Sequence, residues 1–120
     1  MENKALFGAW GEAQAAAYLK RKRFRVVAQN FTVRGGEIDL IAESREFLLF
    51  VEVKTRKTAS FAAAREYVDA RKQARLHLAA ELWLAGHETA LQPRFDVIEV
   101  YAPDGVNTRR PEIVHWENVF

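Results

Sequence analysis

The sequence predicts an α/β fold, a mixed β-sheet flanked by α-helices, formed as a single domain over residues 1–120. Three observations predict it. Two stretches, 4–22 and a second between Phe61 and Ala85, are rich in strong helix formers. Short β-branched and aromatic runs lie between and after them, as strands require. With 120 residues, 49% hydrophobic and 28% charged, the chain can build one core and does not have a disordered composition.

Each element follows from local chemistry. Residues 4–22 end in cations, which suit the negative end of a helix macrodipole. Phe24 to Phe31 (FRVVAQNF) reads as a strand, and Gly35-Gly36 as a turn. Gly36 to Ala42 (GEIDLIA) alternates, with Glu37, Asp39 and Ile41 on one face and Ile38, Leu40 and Ala42 on the other. After a polar connection at 43–46, Phe47 to Thr55 (FLLFVEVKT) is apolar without a break as far as Val51, as in a central strand covered on both faces. The second helix follows, with Asp69 as a candidate N-cap and Gly86 placed to cap its end. Arg94 to Val100 is a fourth strand, Pro103-Asp104-Gly105 a turn, and Ile113 to Trp116 a last short strand. Short connections make the first three strands a meander. The helical crossover makes the fourth parallel to the third.

The chain has no cysteine, which excludes disulfides, thiolate metal sites and cysteine nucleophiles and suits a reducing compartment. No signal peptide and no apolar run of about 18 residues is present, so a cytoplasmic protein without a membrane span is expected. The net charge is only +2, but residues 1–60 hold 11 Lys/Arg against 7 Asp/Glu, and residues 61–120 hold 7 against 9. An anionic partner is therefore expected on the first half.

Charges placed on strands that otherwise look buried need partners or a metal. Asp39 and Glu52 are such charges, and Lys54 lies two residues beyond Glu52 on the same face. Magnesium prefers carboxylate oxygens and substrate phosphates, so Asp39, Glu52 and the Val53 carbonyl would suit it, with Lys54 beside an attacking water or the scissile phosphate. The competing reading is a surface ion pair of Glu52 with Lys54 on an edge strand, against which stands the apolar run before Glu52. Glu12 shares a helical face with Gly8, Ala15, Ala16 and Leu19, so it points either toward the sheet or to solvent.

Lys20 to Arg23 and Arg25 cluster five cations in six residues, with Arg21 and Lys22 as candidate phosphate contacts. Arg56 and Lys57 follow Lys54 and would flank a bound backbone. Arg71, Lys72 and Arg75 either open the second helix or lie within it; in a first turn, cations suggest an anion site. Gln73 shares a face with Leu76, Ala80 and Leu84, as a core-edge residue or as a group orienting water or phosphate. The three histidines have no metal-ligand spacing and read as structural; Trp10, Trp83 and Trp116 read as core.

GAWGEAQAAAYL (8–19), NFTVRGGEIDLIA (30–42), LLFVEVKTR (48–56), VDARKQARL (68–76) and RFDVIEV (94–100) together resemble the YraN family of small bacterial proteins. The resemblance implies the restriction-endonuclease-like fold shared with archaeal Holliday-junction resolvases. It implies a nuclease acting on DNA, branched or Holliday-junction-like DNA included, with Mg²⁺ or Mn²⁺ held at Asp39 and Glu52. On the same footing it implies Lys54 as the catalytic lysine, Glu12 as the helical glutamate, Gln73 as the helical glutamine of related exonucleases, and a homodimer. Two departures stand out. Ile38 takes the place of the proline before the first acid, and Arg23 stands where family members carry glycine, so a different end to the first helix is expected. A non-catalytic nucleic-acid-binding module with a vestigial site, and a structural adaptor, remain the alternatives.

Overall fold

The computed structural model of the chain describes residues 3–58 and 69–119. Helix α1 spans Lys4–Arg21 and helix α2 Ala70–Gly86. Strands β1 (Arg25–Val33), β2 (Gly36–Glu43), β3 (Phe47–Arg56), β4 (Gln92–Tyr101) and β5 (Glu112–Trp116) form one sheet. Their spatial order is β1-β2-β3-β4-β5, so the apolar run of β3 occupies the middle. β1, β2 and β3 form an antiparallel meander, β4 runs parallel to β3, and β5 is antiparallel to β4. The expected mixed sheet, central third strand and short fifth strand are all present.

Helix α1 starts at Asn3, whose side chain accepts from the amides of Ala5 and Leu6 at 2.8 and 3.3 Å, supplying acceptors that the first turn lacks. Its buried face is Gly11, Ala15, Ala16 and Leu19. Small residues let the helix lie close: a side-chain carbon on Gly11 would collide with Thr55 of β3. The helix closes with the Phe24 amide donating to Leu19 and the Arg23 amide to Lys20, at 2.9 and 3.0 Å. Arg23 adopts φ 69° at the left-handed position of this closure. The helix therefore ends as a glycine-terminated helix would, contrary to the expectation of a different end; the paired backbone bonds hold Arg23 in a conformation that favours glycine.

Helix α2 begins at Asp69, whose carboxylate accepts from the Lys72 amide at 2.9 Å. The part of the expected second helix at 61–68 lies outside the described residues. The cap at the other end is His87, and Gly86 is the last helical residue, which corrects the expected role of Gly86. The reason is local. The His87 ring lies 3.6 Å, centroid to centroid, from that of Trp83, and its Nδ1 bonds the Trp83 carbonyl at 2.9 Å, so a side chain satisfies the helix end.

The two helices cover opposite faces. Ala15, Ala16 and Leu19 of α1 pack with Leu40, Ala42, Leu49, Val51, Ile98 and Val100. Leu76, Ala79 and Ala80 of α2 pack with Ile38, Ile41, Leu48, Phe50 and Val97. Ile38 and Ile41 thus share a face, which breaks the strict alternation expected for Gly36 to Ala42. On the partner strand, Phe31 faces Ile38 and Ala28 faces Ile41, and between them Asn30 has φ 51°. The β1–β2 register also shifts between Val26 and Ala28, a local irregularity of the ribbon.

Candidate metal and nucleic-acid site

The site lies where the sheet opens. The pairing of β2 with β3 runs from Glu43–Leu48 to Leu40–Val51 and stops. Two residues further along β3, the Val53 N–H donates to Asp39 Oδ2 at 2.8 Å, so a side chain takes over from the ladder. That bond anchors the Asp39 carboxylate in the gap. Gly36, at the start of β2, lies so close to α2 that an added side-chain carbon would collide with the Arg75 carbonyl. The strand is thereby held between the hairpin turn and the helix.

Glu52 occupies the α2 side of the opening and is 9% exposed. Its Oε1 lies 3.0 Å from Lys72 Nζ, reached from the first turn of α2. The surface-pair reading of Glu52 with Lys54 is therefore replaced: β3 is central, and the partner comes from a helix. Lys54 is exposed on the same strand face as Glu52, opposite Glu99 in the parallel register with β4. Glu12 is half-buried on α1 and accepts from the Asn30 side chain.

These acids sense one another. Burial, reinforced by Glu52, Glu12 and Glu37, pushes the Asp39 carboxyl up to about 8, against the lowering effect of the Val53 amide. Burial also raises Glu12; the Asn30 bond opposes this, and Glu52 and Glu37 add to it. The result is a desolvated set of like charges at the end of the β2–β3 pairing. Among the described residues, no three or more His, Cys, Asp or Glu side chains are gathered closely enough to hold an ion together. Asp39 and Glu52 are thus a pair, with Glu12 felt through its charge, and the Val53 group turned to Asp39 is its N–H.

The other expected residues fall into two sets. Arg71 and Lys72 lie in the first turn of α2 and Arg75 in the second, which settles their placement; Gln73 is half-buried beside them. Lys57 follows β3, its ammonium 5.9 Å from the centre of the Phe7 ring. Arg56 turns away from the opening: its Nε lies 3.3 Å from Glu99 Oε2, and its side chain is only 13% exposed. Arg21 and Lys22 close α1 at its far end, and Lys22 lines a depression with Arg45 and Phe47 at the start of β3. The structure does not bring these two together with the carboxylates.

Two buried acids of β4 escaped the sequence reading. Asp96 is held bidentately by Arg94 at 2.9 and 2.8 Å, by His115 at 2.7 Å and by the Asn118 amide at 3.0 Å. Burial alone would raise it, but these bonds hold it below the usual carboxylate range. Glu99 accepts from Tyr101 and from the Trp116 indole, each at 2.7 Å. Trp116 is 40% exposed on the edge strand, so it is a hydrogen-bond donor at the rim, not the core residue expected. The available signal was topological: a strand after a crossover is buried, so its acids need partners.

A model described as "Uncharacterised protein family UPF0102" matches residues 11–100, which include Asp39, Glu52 and Lys54. A UPF0102 protein of Geobacter sulfurreducens is 42% identical over 98% of this chain and 90% of its own length. Another, from Caldanaerobacter subterraneus subsp. tengcongensis, is 43% identical over 82% of each chain. A third, from Xanthomonas campestris pv. campestris, is 42% identical over 91% of this chain and 85% of its own.

Proposed function

The chain belongs to the uncharacterised protein family UPF0102, the YraN-type proteins, and on the geometry of its carboxylates we propose that it is a divalent-metal-dependent nuclease that hydrolyses DNA phosphodiester bonds. We assign it to the restriction-endonuclease-like superfamily and to the cytoplasm. One observation carries the activity: Asp39 and Glu52 come together where the β2–β3 ladder stops, and burial, with the Glu52 charge adding to it, pushes the Asp39 carboxyl up to about 8. A buried pair of like charges is a costly arrangement that a divalent cation would relieve.

The donor set fits Mg²⁺ or Mn²⁺. Such an ion takes one or two carboxylates and leaves its other positions to water and substrate phosphate, so the pair suffices. When bound, it would supply charge neutralisation at the scissile phosphate and a more acidic water. The rest falls to the chain. The Val53 amide holds Asp39 in one orientation. Glu12, fixed by Asn30, adds negative charge from the α1 side. Lys54, exposed beside Glu52, is placed to position the attacking water or to neutralise the developing phosphorane. Arg71 and Lys72 would present cations to the backbone at the opening and Lys57 would do so beyond the end of β3, beside Phe7 of α1, with Gln73 as an orienting amide.

The test is cleavage of end-labelled single strands, duplexes, flaps and four-way junctions with Mg²⁺, Mn²⁺ or chelator, beside Glu52→Gln. Metal-dependent cutting that falls about a thousand-fold in Glu52→Gln is expected. Undiminished cutting by Glu52→Gln would sink the proposal. Salt-sensitive binding without cutting would move the assignment to a nucleic-acid-binding module with a vestigial site.

A further inference from the structure

We propose that Lys72 is the counter-cation of Glu52 when no divalent ion is bound, and that it yields this place to the ion and turns to a substrate phosphate. The inference rests on the nuclease reading above and assigns Lys72 a second position within it.

Three observations carry it. Lys72 Nζ lies 3.0 Å from Glu52 Oε1, so the two are a direct ion pair. The side chains differ in surroundings: that of Glu52 is 11% exposed and that of Lys72 is 44% exposed. The buried carboxylate therefore stays, while the ammonium has solvent to move into. Third, the helix does not favour a cation here. Lys72 follows Arg71 in the first turn, where positive charge opposes the macrodipole, and its own amide is fixed by the Asp69 carboxylate at 2.9 Å. The backbone of Lys72 is thus anchored, and Glu52 is what holds its charged end.

A divalent ion on Glu52 would stand within a few ångströms of the ammonium, and two cations so close repel. Lysine carries a compact charge on a flexible four-carbon stem, so it can swing clear without moving the helix. With Glu52 taken, the ammonium is released toward the opening, where the phosphate of a nucleic-acid strand would approach. Lys72 thereby keeps the buried carboxylate neutralised before the ion arrives and contributes a phosphate contact afterwards.

The experiment measures Mn²⁺ binding by calorimetry without nucleic acid, for the wild-type chain, Lys72→Met and Lys72→Arg. Circular dichroism confirms that each is folded. Lys72→Met removes the competing charge and keeps the stem, so it should bind Mn²⁺ about five- to twenty-fold more tightly than wild type, whereas Lys72→Arg should not. Duplex binding in Ca²⁺ is then followed against salt. Lys72→Met should lower the slope of log affinity on log salt by about one. Equal or weaker Mn²⁺ binding by Lys72→Met overturns the proposal. Tighter Mn²⁺ binding with an unchanged slope overturns the transfer to phosphate. Absence of Mn²⁺ binding in all three chains overturns the metal reading itself, which separates that failure from this one.

Discussion

Asp39 gives the molecule a titration with a definite sign. Its carboxyl is pushed up to about 8 in the folded chain, against an ordinary value of 3.8. The unfolded chain therefore loses this proton first, and the contribution to stability is full below pH 4 and is lost as pH rises through about 8. Asp39→Asn keeps an acceptor for the Val53 amide and removes the charge. Its melting temperature should exceed that of wild type at pH 9 and approach it at pH 5, with a gain on the order of a few kcal/mol at the higher pH. Asp96 titrates with the opposite sign: held below the usual carboxylate range, it stabilises above that range, and this is lost in acid. Asp96→Ala takes away the bidentate partner of the buried Arg94, leaving it the largely exposed Glu117 carboxylate at 3.2 Å, and should cost about 3 kcal/mol in urea unfolding. Legibility at this scale followed the direction of the signal. Asp39 and Glu52 could be singled out because charges stood inside apolar runs. The Glu52–Lys72 and Glu12–Asn30 pairs could not, since each joins two elements whose packing no local pattern records.

The ends of helices were less legible than their lengths. Residues 4–22 read as a helix, and α1 spans Lys4–Arg21. What the pattern missed is that backbone closure imposes the left-handed conformation on Arg23 regardless of its identity. Arg23→Gly should therefore stabilise the protein by about 1 kcal/mol, seen as a higher urea midpoint with an unchanged slope. At α2, Asp69→Ala removes the acceptor for the Lys72 amide and should cost about 1 kcal/mol. Gly36→Ala is a packing test: its new carbon meets the Arg75 backbone, which cannot swing away as a side chain can. About 2 kcal/mol or more should be lost in the same unfolding measurement, with α2 shifted off β2.

For the whole molecule, the order of strands was readable because connection length decides direction: short links made the meander and a helical crossover made the parallel pair. The disposition of the cations was not, because it depends on which end of the sheet each element reaches. Arg21 and Lys22 sit at the far end of α1, and Arg56 is turned to Glu99. Nucleic-acid binding should accordingly weaken more in Lys57→Ala than in Arg21→Ala, compared by fluorescence anisotropy at one salt concentration. A homodimer, if the chain forms one for two-strand cutting, must use a surface related to itself by a two-fold axis; ultracentrifugation at micromolar concentration decides it, and a monomer at that concentration counts against a stable dimer. The opening between β2 and β3 has one more consequence. Because the Val53 proton is held by a carboxylate and not by a neighbouring strand, it is a built-in spectroscopic reporter: its amide resonance should move with any change in the charge on Asp39 and should exchange with deuterium far faster in Asp39→Ala, while the amides of Leu49 and Val51 keep their protection.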